Sequence, residues 1–400
     1  MKENSSSPMA LSGLKVLDLS RILAGPWSTQ VLADLGADVV KVESPDGGDD
    51  TRKWGPPFIQ KADGESAEAA YFSACNRNKR SICIDFSTEE GAKLVRSLAM
   101  QADILVENYK LNGLKKYSLD YESIKEINPG IIYCSITGFG QTGPYAHRAG
   151  YDFLIQGMGG LMSITGQPDG SEGAEPVKVG VAVADLFTGM YASTSILAAL
   201  NYRNTTGEGQ YIDCSLLDSQ VAMLANQASN WLNGNMQPTR MGNNHPNVVP
   251  YRVYEVSDGF VIISCGNDGQ FKRLGAALGE PELGEDHRFS TNAARIENRS
   301  AIDTRLSDLL IKLSRSHVIE ILEEARVPCG PINNLSDVFD DPHVIDRGLH
   351  VQLERSDGAT ISSPAFPAKL SLTPASYRSA PPALGADSNS ILKDWLEVSD

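Results

Sequence analysis

The stretch "LKVLDLSRILAGPWSTQVLADLGADVVKVE", residues 14–43, decides the fold. Residues 14–20 form an apolar run, which predicts a strand. Residues 26–36 have proline at the start, apolar residues at helical spacing and glycine at the end, which predicts a helix. Residues 37–43 predict a second strand. A strand, a helix and a strand in this order indicate a parallel α/β sheet.

Further segments extend this alternation along the N-terminal third of the chain. Strands are predicted over 80–86, 103–108 and 130–137, and a helix over 87–101. Ser87 and Glu90 have the spacing of a capping box at the start of that helix. Ligands of such sheets sit at the carboxyl ends of the strands, so we expect functional residues in the loops that follow them.

The second half of the chain is organised differently. Residues 212–232 predict a helix, and an Asn-, Gly- and Pro-rich loop follows. Two strands, 251–256 and 260–264, flank Ser-Asp-Gly and predict a hairpin. Helical stretches continue to about residue 326, after which mixed structure returns.

Composition excludes several classes of protein. The formal net charge of −15 argues against nucleic acid as the main partner. No window of about 18 apolar residues lacks a polar break, so a membrane span is not predicted. The start "MKENSSSPMA" does not resemble a secretory signal or a transit peptide, so we expect a cytoplasmic protein.

The chain also lacks the common motifs of cofactor and metal sites. Its six cysteines form no C-x-x-C pair, and its six histidines have no metal-ligand spacing. There is no G-x-x-x-x-G-K-[ST] and no G-x-S-x-G. "GMGGLM" (157–162) lacks the third glycine of a dinucleotide fingerprint. We therefore predict no metal site.

Basic residues cluster in three places: "NRNKR" (76–80), "NYKLNGLKK" (108–116) and "HR" (147–148). The first cluster precedes a predicted strand and the second follows one. A phosphate-rich ligand lying across the strand ends would contact all three. A solvated basic surface is the alternative interpretation.

One carboxylate, Asp185, stands in the mostly small and apolar run "KVGVAVADLFTGMYASTSILAAL" (178–200). It can be an N-terminal acid that stabilises the helix beginning near Leu186, with help from Thr188. It can also be an ionised nucleophile at the edge of a cleft. Attack by an aspartate on a thioester would give a mixed anhydride and expel a thiolate.

Several longer motifs resemble one family. The segments are "LSGLKVLDLSRILAGPWSTQVLADLGADVVKVE", "GDDTRKWGPPF", "NRNKRSI", "VENY", "IIYCSITGFGQTGP", "RAGYD" and "ADLFTGMYA". They look like the family III CoA-transferases (CaiB/BaiF), the group of formyl-CoA:oxalate and carnitine CoA-transferases. The resemblance spans about residues 11–396.

The resemblance implies an architecture for the whole chain. A large doubly wound, Rossmann-like α/β domain would be built from both chain ends, and a smaller central α+β domain would be inserted into it. The expected boundaries are 9–205 for the first part of the large domain, 206–240 for a linker, 241–326 for the small domain and 327–400 for the return. Two chains would interlock as a homodimer.

Within the family, "GDDTRKWGPPF", "VPYRVYEVSDGF", "CGNDGQF" and "VPCGPINNLSDVF" look closest to the succinyl-CoA:glutarate (hydroxymethylglutarate) CoA-transferase branch. The implied reaction moves CoA from succinyl-CoA to a glutarate-like dicarboxylic acid through an aspartyl-CoA thioester. No cofactor would be bound permanently, because the coenzyme A thioester is itself a substrate.

The resemblance also implies site residues, with Asp185 as the catalytic aspartate. The implied CoA contacts are Leu23, Ala24, Asn76, Arg77, Asn78, Lys79, Asn108, Tyr109, Lys116 and Arg148. The implied substrate-side residues are Arg52, Tyr151, Gly266 and Gly269, with Arg21 and Arg240 as further candidates for a distal carboxylate. Arg52 can instead be an ion-pair partner of Asp49 or Asp50, and the two glycines can instead form a strand-to-helix turn.

Two departures and three other functions stay open, and the first of these functions is a CoA-transferase that uses another pair of acids. Leu23 replaces a glutamine of the oxalate enzymes, and Ser44 replaces an arginine on the adenine side. The family also contains α-methylacyl-CoA racemases, whose "GHD" histidine is replaced here by Tyr151, although His147 is nearby. A non-catalytic acyl-CoA-binding protein would leave Asp185 unexplained.

Overall fold

The computed structural model describes residues 8–397. Its first three elements are β1 (Lys15–Asp18), α1 (Ala24–Asp34) and β2 (Asp38–Glu43). They confirm the predicted strand, helix and strand. Helix α1 begins two residues before the predicted proline start. Pro26 is tolerated inside the first helical turn because its missing N–H would have no intrahelical partner there.

Six parallel strands form the main sheet. The strands after β2 are β3 (Phe58–Gln60), β4 (Ser66–Ala69), β5 (Lys79–Cys83), β6 (Ile104–Glu107), β7 (Ile132–Thr137) and β8 (Gln210–Ser215). The sheet order is β5-β2-β1-β6-β7-β8, while β3 and β4 pair separately. The chain thus winds outward in both directions from the centre, and the predicted doubly wound parallel sheet is confirmed. Its topological switch point lies between β1 and β6.

Helices cover both faces of this sheet. The helices of residues 70–234 are α2 (Ala70–Ser73), α3 (Glu89–Gln101), α4 (Tyr121–Ile127), α5 (Asp152–Met158), α6 (Leu161–Ile164), α7 (Val183–Thr206), α8 (Leu216–Ala222) and α9 (Ala225–Gly234). Neighbouring residues of β1 belong to two different hydrophobic cores. Val16 belongs to the core that includes residues of α1 and α7, and Leu17 belongs to the core that includes residues of α3 and α4. This alternation is the period of two expected of a strand.

Two local predictions were wrong. The cap of α3 is Thr88, whose Oγ1 accepts a hydrogen bond from the Gly91 N–H at 3.1 Å. The predicted cap, Ser87, instead donates its hydroxyl to Asp85 at 2.6 Å.

The predicted single helix over 212–232 is a strand, β8, followed by α8 and α9. Strand β8 belongs to the main sheet, so the predicted linker over 206–240 is largely part of the first unit.

A second compact unit contains Met162–Val177 and Met236–Asp341. Its elements are β9 (Tyr251–Val256), β10 (Gly259–Ser264), α10 (Asp268–Ala277), α11 (Asn292–Glu297), α12 (Arg299–Leu310), α13 (Arg315–Glu324), β11 (Cys329–Pro331) and α14 (Leu335–Asp340). Strands β9 and β10 form the predicted hairpin, and β11 extends it into an antiparallel sheet. Buried side chains of β10, α10 and α12 form its core.

The C-terminal residues return to the first unit, which also contains the residues up to Leu161 and Lys178–Asn235. Their elements are α15 (Pro342–Asp346), β12 (His350–Glu354), β13 (Thr360–Pro364) and α16 (Ser388–Leu396). Helix α16 packs on α3 and β5. Its Trp395 donates Nε1–H to Asp38 at the start of β2, at 2.8 Å. Residues from both ends of the described chain therefore build this unit.

Helix α7 is the one helix of residues 8–397 that is long and apolar enough to cross a membrane. It packs against α1, α5, α8 and two strands of the main sheet. Ala184, Ala192 and Ile196 on this helix are fully buried. We therefore assign α7 to the core of the first unit.

Candidate active site

A cleft of about 470 Å³ lies in the first unit, beside the switch point between β1 and β6. It is lined by the loops that follow β1, β6 and β7 and by the first turn of α7. It brings together eight residues that the sequence predicts for the site: Leu23, Ala24, Asn108, Tyr109, Lys116, Arg148, Tyr151 and Asp185. The cleft therefore lies at the carboxyl ends of the parallel strands, where sheets of this type bind ligands.

The loops after β1 and β6 are joined across the bottom of the cleft. The side-chain amide of Asn108 accepts the backbone N–H of Arg21 at 2.8 Å and donates to its C=O at 2.6 Å. Tyr109 donates its backbone N–H to buried Glu107 at 2.7 Å. Leu23 and Ala24, where α1 begins, are buried and also line the cleft. The cleft floor is therefore fixed by specific hydrogen bonds.

Two exposed cations, Lys116 and Arg148, lie at the rim. Among residues 8–397, neither has a carboxylate within ion-pair distance. The Arg148 guanidinium lies 4.7 Å from the ring centroid of Tyr145 and 5.2 Å from that of Phe139. The Lys116 Nζ lies 4.5 Å from the ring centroid of Tyr117. Aromatic packing orients these cations and leaves their charge available to an anionic ligand.

Asp185 occupies the third position of α7 and is half-buried in the cleft wall. The N-cap residue of α7 is Ala182, which makes no side-chain capping hydrogen bond. Thr188 donates its hydroxyl to Ala184 C=O at 2.7 Å and so does not assist Asp185. Asp185 is therefore not the N-cap, but it is an acid in the first helical turn, as the helix-stabilising interpretation predicted, and this place favours a negative charge.

A second carboxylate, Asp152 of α5, caps α7 from outside. Its Oδ1 accepts the backbone N–H groups of Ala184 at 2.8 Å and of Asp185 at 3.4 Å. Gln156 donates to its other oxygen at 2.7 Å. Burial first, and then the charge of Asp152, raise the pKa of Asp185 to about 7. Burial and the Asp152 charge together disfavour the ionised form of Asp185. Acylation would remove this unfavourable charge, which favours Asp185 as a nucleophile.

The side chains of Arg77 and Asn78 do not reach the cleft. Arg77 pairs with buried Asp34 at 2.6 Å and also donates to Ser363 Oγ at 3.0 Å. Asn78 donates to the same Asp34 at 2.8 Å. Both residues are at most 5% exposed, so their side chains are internal, and a contact of this segment with CoA stays a prediction. They connect α1 to the C-terminal segment.

Lys79 and Asn76 are also buried. The Lys79 Nζ lies 3.1 Å from Asp18 Oδ2, and it donates to Asn76 Oδ1 at 2.9 Å. Asn76 donates in turn to Phe72 C=O at 2.8 Å. Their side-chain groups are thus occupied inside the protein, and their contact with CoA stays a prediction. Arg77 and Lys79 of the basic cluster are therefore internal, where Asp34 and Asp18, distant in sequence, neutralise them.

Arg52 is buried among acidic side chains and does not line the cleft. It binds Glu43 through two hydrogen bonds, of 2.8 and 2.7 Å, and lies near Glu68 at 3.9 Å. Its guanidinium stacks 3.6 Å from the Phe72 ring centroid. Arg52 does form ion pairs, as the alternative interpretation predicted. Its partners are Glu43 and Glu68, however, and not Asp49 or Asp50.

The remaining predicted residues belong to the second unit. Arg240 pairs with Asp169 and donates to Gln167 C=O at 3.2 Å. Gly266 donates its N–H to Gln270 at 2.7 Å, and Gly269 lies in the first turn of α10. These glycines form the strand-to-helix turn that was the alternative interpretation.

The cleft wall contains a close backbone approach that the sequence did not predict. A Cβ placed on Gly138 would lie 2.5 Å from the Gly150 Cα, and the reverse substitution is equally crowded. Both glycines line the cleft. Their contact holds the two ends of the loop after β7 close together. Gly138 and Gly150 lie in the motifs "SITGFGQTGP" and "RAGYD", but the sequence does not indicate that the two glycines contact each other.

The described residues contain no group of three His, Cys, Asp or Glu side chains that could hold a metal ion. What the cleft offers is one half-buried carboxylate, Asp185, together with the exposed cations Lys110, Lys116 and Arg148. This arrangement suits covalent transfer of an acyl group from an anionic, phosphate-bearing carrier.

Comparison with known proteins agrees with this chemistry. The family model for CoA-transferase family III matches residues 11–388. A succinate–glutarate CoA-transferase from Agrobacterium fabrum is 51% identical over 96% of this chain and 95% of that enzyme. A human succinyl-CoA:glutarate CoA-transferase is 43% identical over 98% of this chain and 87% of its own.

A solved structure is also similar along nearly the whole chain. It is a CAIB/BAIF family protein from Brucella suis, 52% identical, with a TM-score of 0.85 over 97% of this chain and 100% of that one. The match of the family model and the identity to these relatives cover far more than half of the sequence. The chain belongs to CoA-transferase family III.

Proposed function

We propose that this protein transfers CoA from succinyl-CoA to glutarate or a similar dicarboxylic acid, with Asp185 as the covalent carrier. The observation that carries the proposal is the half-buried carboxylate of Asp185 in the same cleft as the free cations Lys116 and Arg148. The names and identities of the Agrobacterium and human relatives support the choice of acids.

The transfer proceeds by exchange at carbonyl carbons. An ionised oxygen of Asp185 attacks the thioester carbon, the C–S bond breaks, and succinyl remains on Asp185 as a mixed anhydride. The CoA thiolate then attacks the Asp185 carbonyl carbon, which releases succinate and leaves an aspartyl-CoA thioester. The acceptor carboxylate repeats these two steps in reverse. No net proton or electron is exchanged, and the thiolate is a good leaving group.

Lys116 and Arg148 bind the phosphates of CoA in this proposal. Alanine at either position is expected to raise the KM for succinyl-CoA about tenfold with little change in kcat, because a phosphate contact is equally strong in the ground and transition states. Steady-state kinetics at fixed acceptor concentration measure both constants. Lys125→Ala is a matched control, since Lys125 lies over Tyr121 at 5.5 Å but outside the cleft lining. An unchanged KM in both cleft variants would contradict this role.

Four further contacts to CoA belong to the proposal: Leu23, Ala24, Asn108 and Tyr109, all in the cleft. For the distal carboxylate of the acids we propose Arg21. Of the three candidate arginines it is the one that lines the cleft, and its pairing with exposed Asp50 at 3.3 Å leaves it accessible. Tyr151, 67% exposed, lies in the same cleft and is positioned to contact the acyl group.

A homodimer acting in the cytoplasm completes the proposal. Three large apolar side chains of α7, Phe187, Met190 and Tyr191, are 42 to 45% exposed. They follow the nucleophile directly on the same helix. Coverage of this surface by a second copy would remove that apolar area from water, which favours association.

Trapping tests the covalent step and a panel of acids tests specificity. Incubation with succinyl-CoA and hydroxylamine is expected to yield a hydroxamate on the Asp185 peptide, detected by mass spectrometry. Glutarate is expected to be a better acceptor than oxalate, since Leu23 offers no polar group to a small diacid. Normal turnover with an unmodified Asp185 would rule out the covalent route. Exchange of an α-proton of a branched acyl-CoA into deuterated water would instead indicate racemase chemistry involving His147, which lines the cleft.

A further inference from the structure

The loop after β1 is held by side chains along Ser20–Ile22. No backbone-to-backbone hydrogen bond is found for these three residues within 8–397. Their side-chain partners are Asp18 for the Ser20 N–H (2.9 Å), Lys41 for the Ser20 C=O (2.7 Å), Asn108 for both groups of Arg21, and Asp49 for the Ile22 N–H. The loop conformation is therefore specified by one local side chain, Asp18, and by the distant side chains of Lys41, Asp49 and Asn108.

Ile22 has a conformation that needs such support. Its φ is 72°, in the left-handed region that β-branched residues rarely adopt. Its N–H points to both oxygens of Asp49, at 3.3 and 3.2 Å. Strained backbone of this kind persists where the surrounding structure holds it and is concentrated at functional sites.

Asp49 is fully buried and firmly fixed. Its Oδ2 lies 2.9 Å from Lys41 Nζ, and both side chains are 0% exposed. Its Oδ1 accepts the N–H and the hydroxyl of Thr51, at 3.0 and 2.8 Å. Lys41 in turn holds the Ser20 C=O. One ion pair thus holds two peptide groups of the same loop.

The position of this loop is transmitted to the helix that carries the nucleophile. Leu23 and Ala24, the next residues after Ile22, line the cleft with Asp185. Helix α7 approaches this point closely, since a Cβ on Gly189 would lie 2.7 Å from the Ala24 carbonyl oxygen. Gly189 lies one turn after Asp185. A shift of the loop therefore changes both the cleft floor and the packing of α7.

We infer that Asp49 is a positioning residue for the transfer reaction: by holding the Ile22 amide, it fixes the loop after β1 against the start of α7, so that a bound thioester meets Asp185. The inference rests on the proposed function. Asp49 does not line the cleft; it acts through the backbone N–H of Ile22, which does.

A double-mutant cycle with Ile22 tests this inference. Asp49→Ala is expected to lower kcat/KM about 100-fold, mainly through kcat, because small misplacements of reacting groups have effects of this size. Adding Ile22→Gly is expected to restore about tenfold, because glycine adopts a positive φ without support. Ile22→Gly alone is expected to change kcat/KM by no more than about threefold. Asp49→Asn serves for the same cycle if the alanine variant does not fold.

Asp34→Asn is the matched control, since Asp34 and Asp49 are both 1% exposed and both ion-paired. It is expected to lower the melting temperature and to leave kcat and KM unchanged. Equal kinetic constants for Asp49→Ala and the parent, or no rescue by glycine, would overturn the inference. Absence of CoA transfer in the parent protein would instead overturn the proposed function, so the two failures are distinguishable.

Discussion

Asp185→Asn is expected to lower the rate of CoA transfer by about 10⁴-fold or more, the size of effect seen when a covalent nucleophile is removed. An amide cannot attack the thioester carbon as an ionised oxygen does, and it cannot carry succinyl or CoA as an anhydride or thioester. The substitution conserves shape, so substrate binding should persist. Single-turnover kinetics with succinyl-CoA, together with mass spectrometry of the protein, measure the loss of both the rate and the adduct.

The same variant is expected to be more stable than the parent at pH 8. A carboxyl whose pKa is raised from 3.8 to about 7 contributes stability below its unfolded-state pKa and loses it as the pH rises through 7. Asparagine carries no charge, so it escapes this loss. Melting temperatures of the two proteins should therefore converge near pH 4 and separate near pH 8.

Asp218→Asn is the control for Asp185→Asn. Asp218 occupies the corresponding third position of α8, where Ser215 is the N-cap, and it lies outside the cleft lining. Its replacement should leave the transfer rate within about twofold, as is usual for exposed positions away from a site. Full activity of Asp185→Asn, or an adduct on another residue, would refute the role of Asp185.

The second large effect concerns pH. Only ionised Asp185 attacks the thioester, so kcat/KM is expected to fall about tenfold for each pH unit below 7 and to level off above it. The physical cause is burial of the carboxyl, reinforced by the charge of Asp152. Tyr71 of α2 is the other titratable group that senses Asp185. Burial first, and then Asp185, raise the pKa of Tyr71 to about 12, so it stays neutral in this range.

Asp152→Asn separates the two causes. An asparagine oxygen can still accept the N–H groups of Ala184 and Asp185, but the repelling charge is gone. The pH profile of kcat/KM is expected to shift to lower pH, while Asp218→Asn should not shift it. A profile that is flat between pH 5.5 and 8 in the parent, or that moves to higher pH in Asp152→Asn, would show that Asp185 does not control the rate.

The fold was largely readable from the sequence, and the reason is local. Residues 14–43 carry the strand, helix and strand periods within a single stretch, and the SDG turn identifies the β9–β10 hairpin. Where apolar residues run without a clear period, as in 212–232, strand and helix could not be separated. Tertiary pairing with β7 decided that Gln210–Ser215 is a strand.

The candidate site was only partly readable. Loops after parallel strands were expected to converge, and the structure places Asp185, Lys116 and Arg148 in one cleft. The cluster "NRNKR" had the same basic composition as the cations at the rim, yet Arg77 and Lys79 are neutralised inside the protein. Composition cannot distinguish the two cases, because the deciding carboxylates, Asp34 and Asp18, lie far away in the chain.

The sequence by itself determined the parallel α/β sheet, the hairpin and the identity of the lone acid in α7, because local periodicity and motif spacing are properties of neighbouring residues. The tertiary structure alone decided which charges are free and which are paired. It also decided that Asp152 caps α7, and that Asp49 holds Ile22. Burial and pairing depend on residues that meet only when the chain folds, and these contacts set the pKa of Asp185 and the shape of the cleft around it.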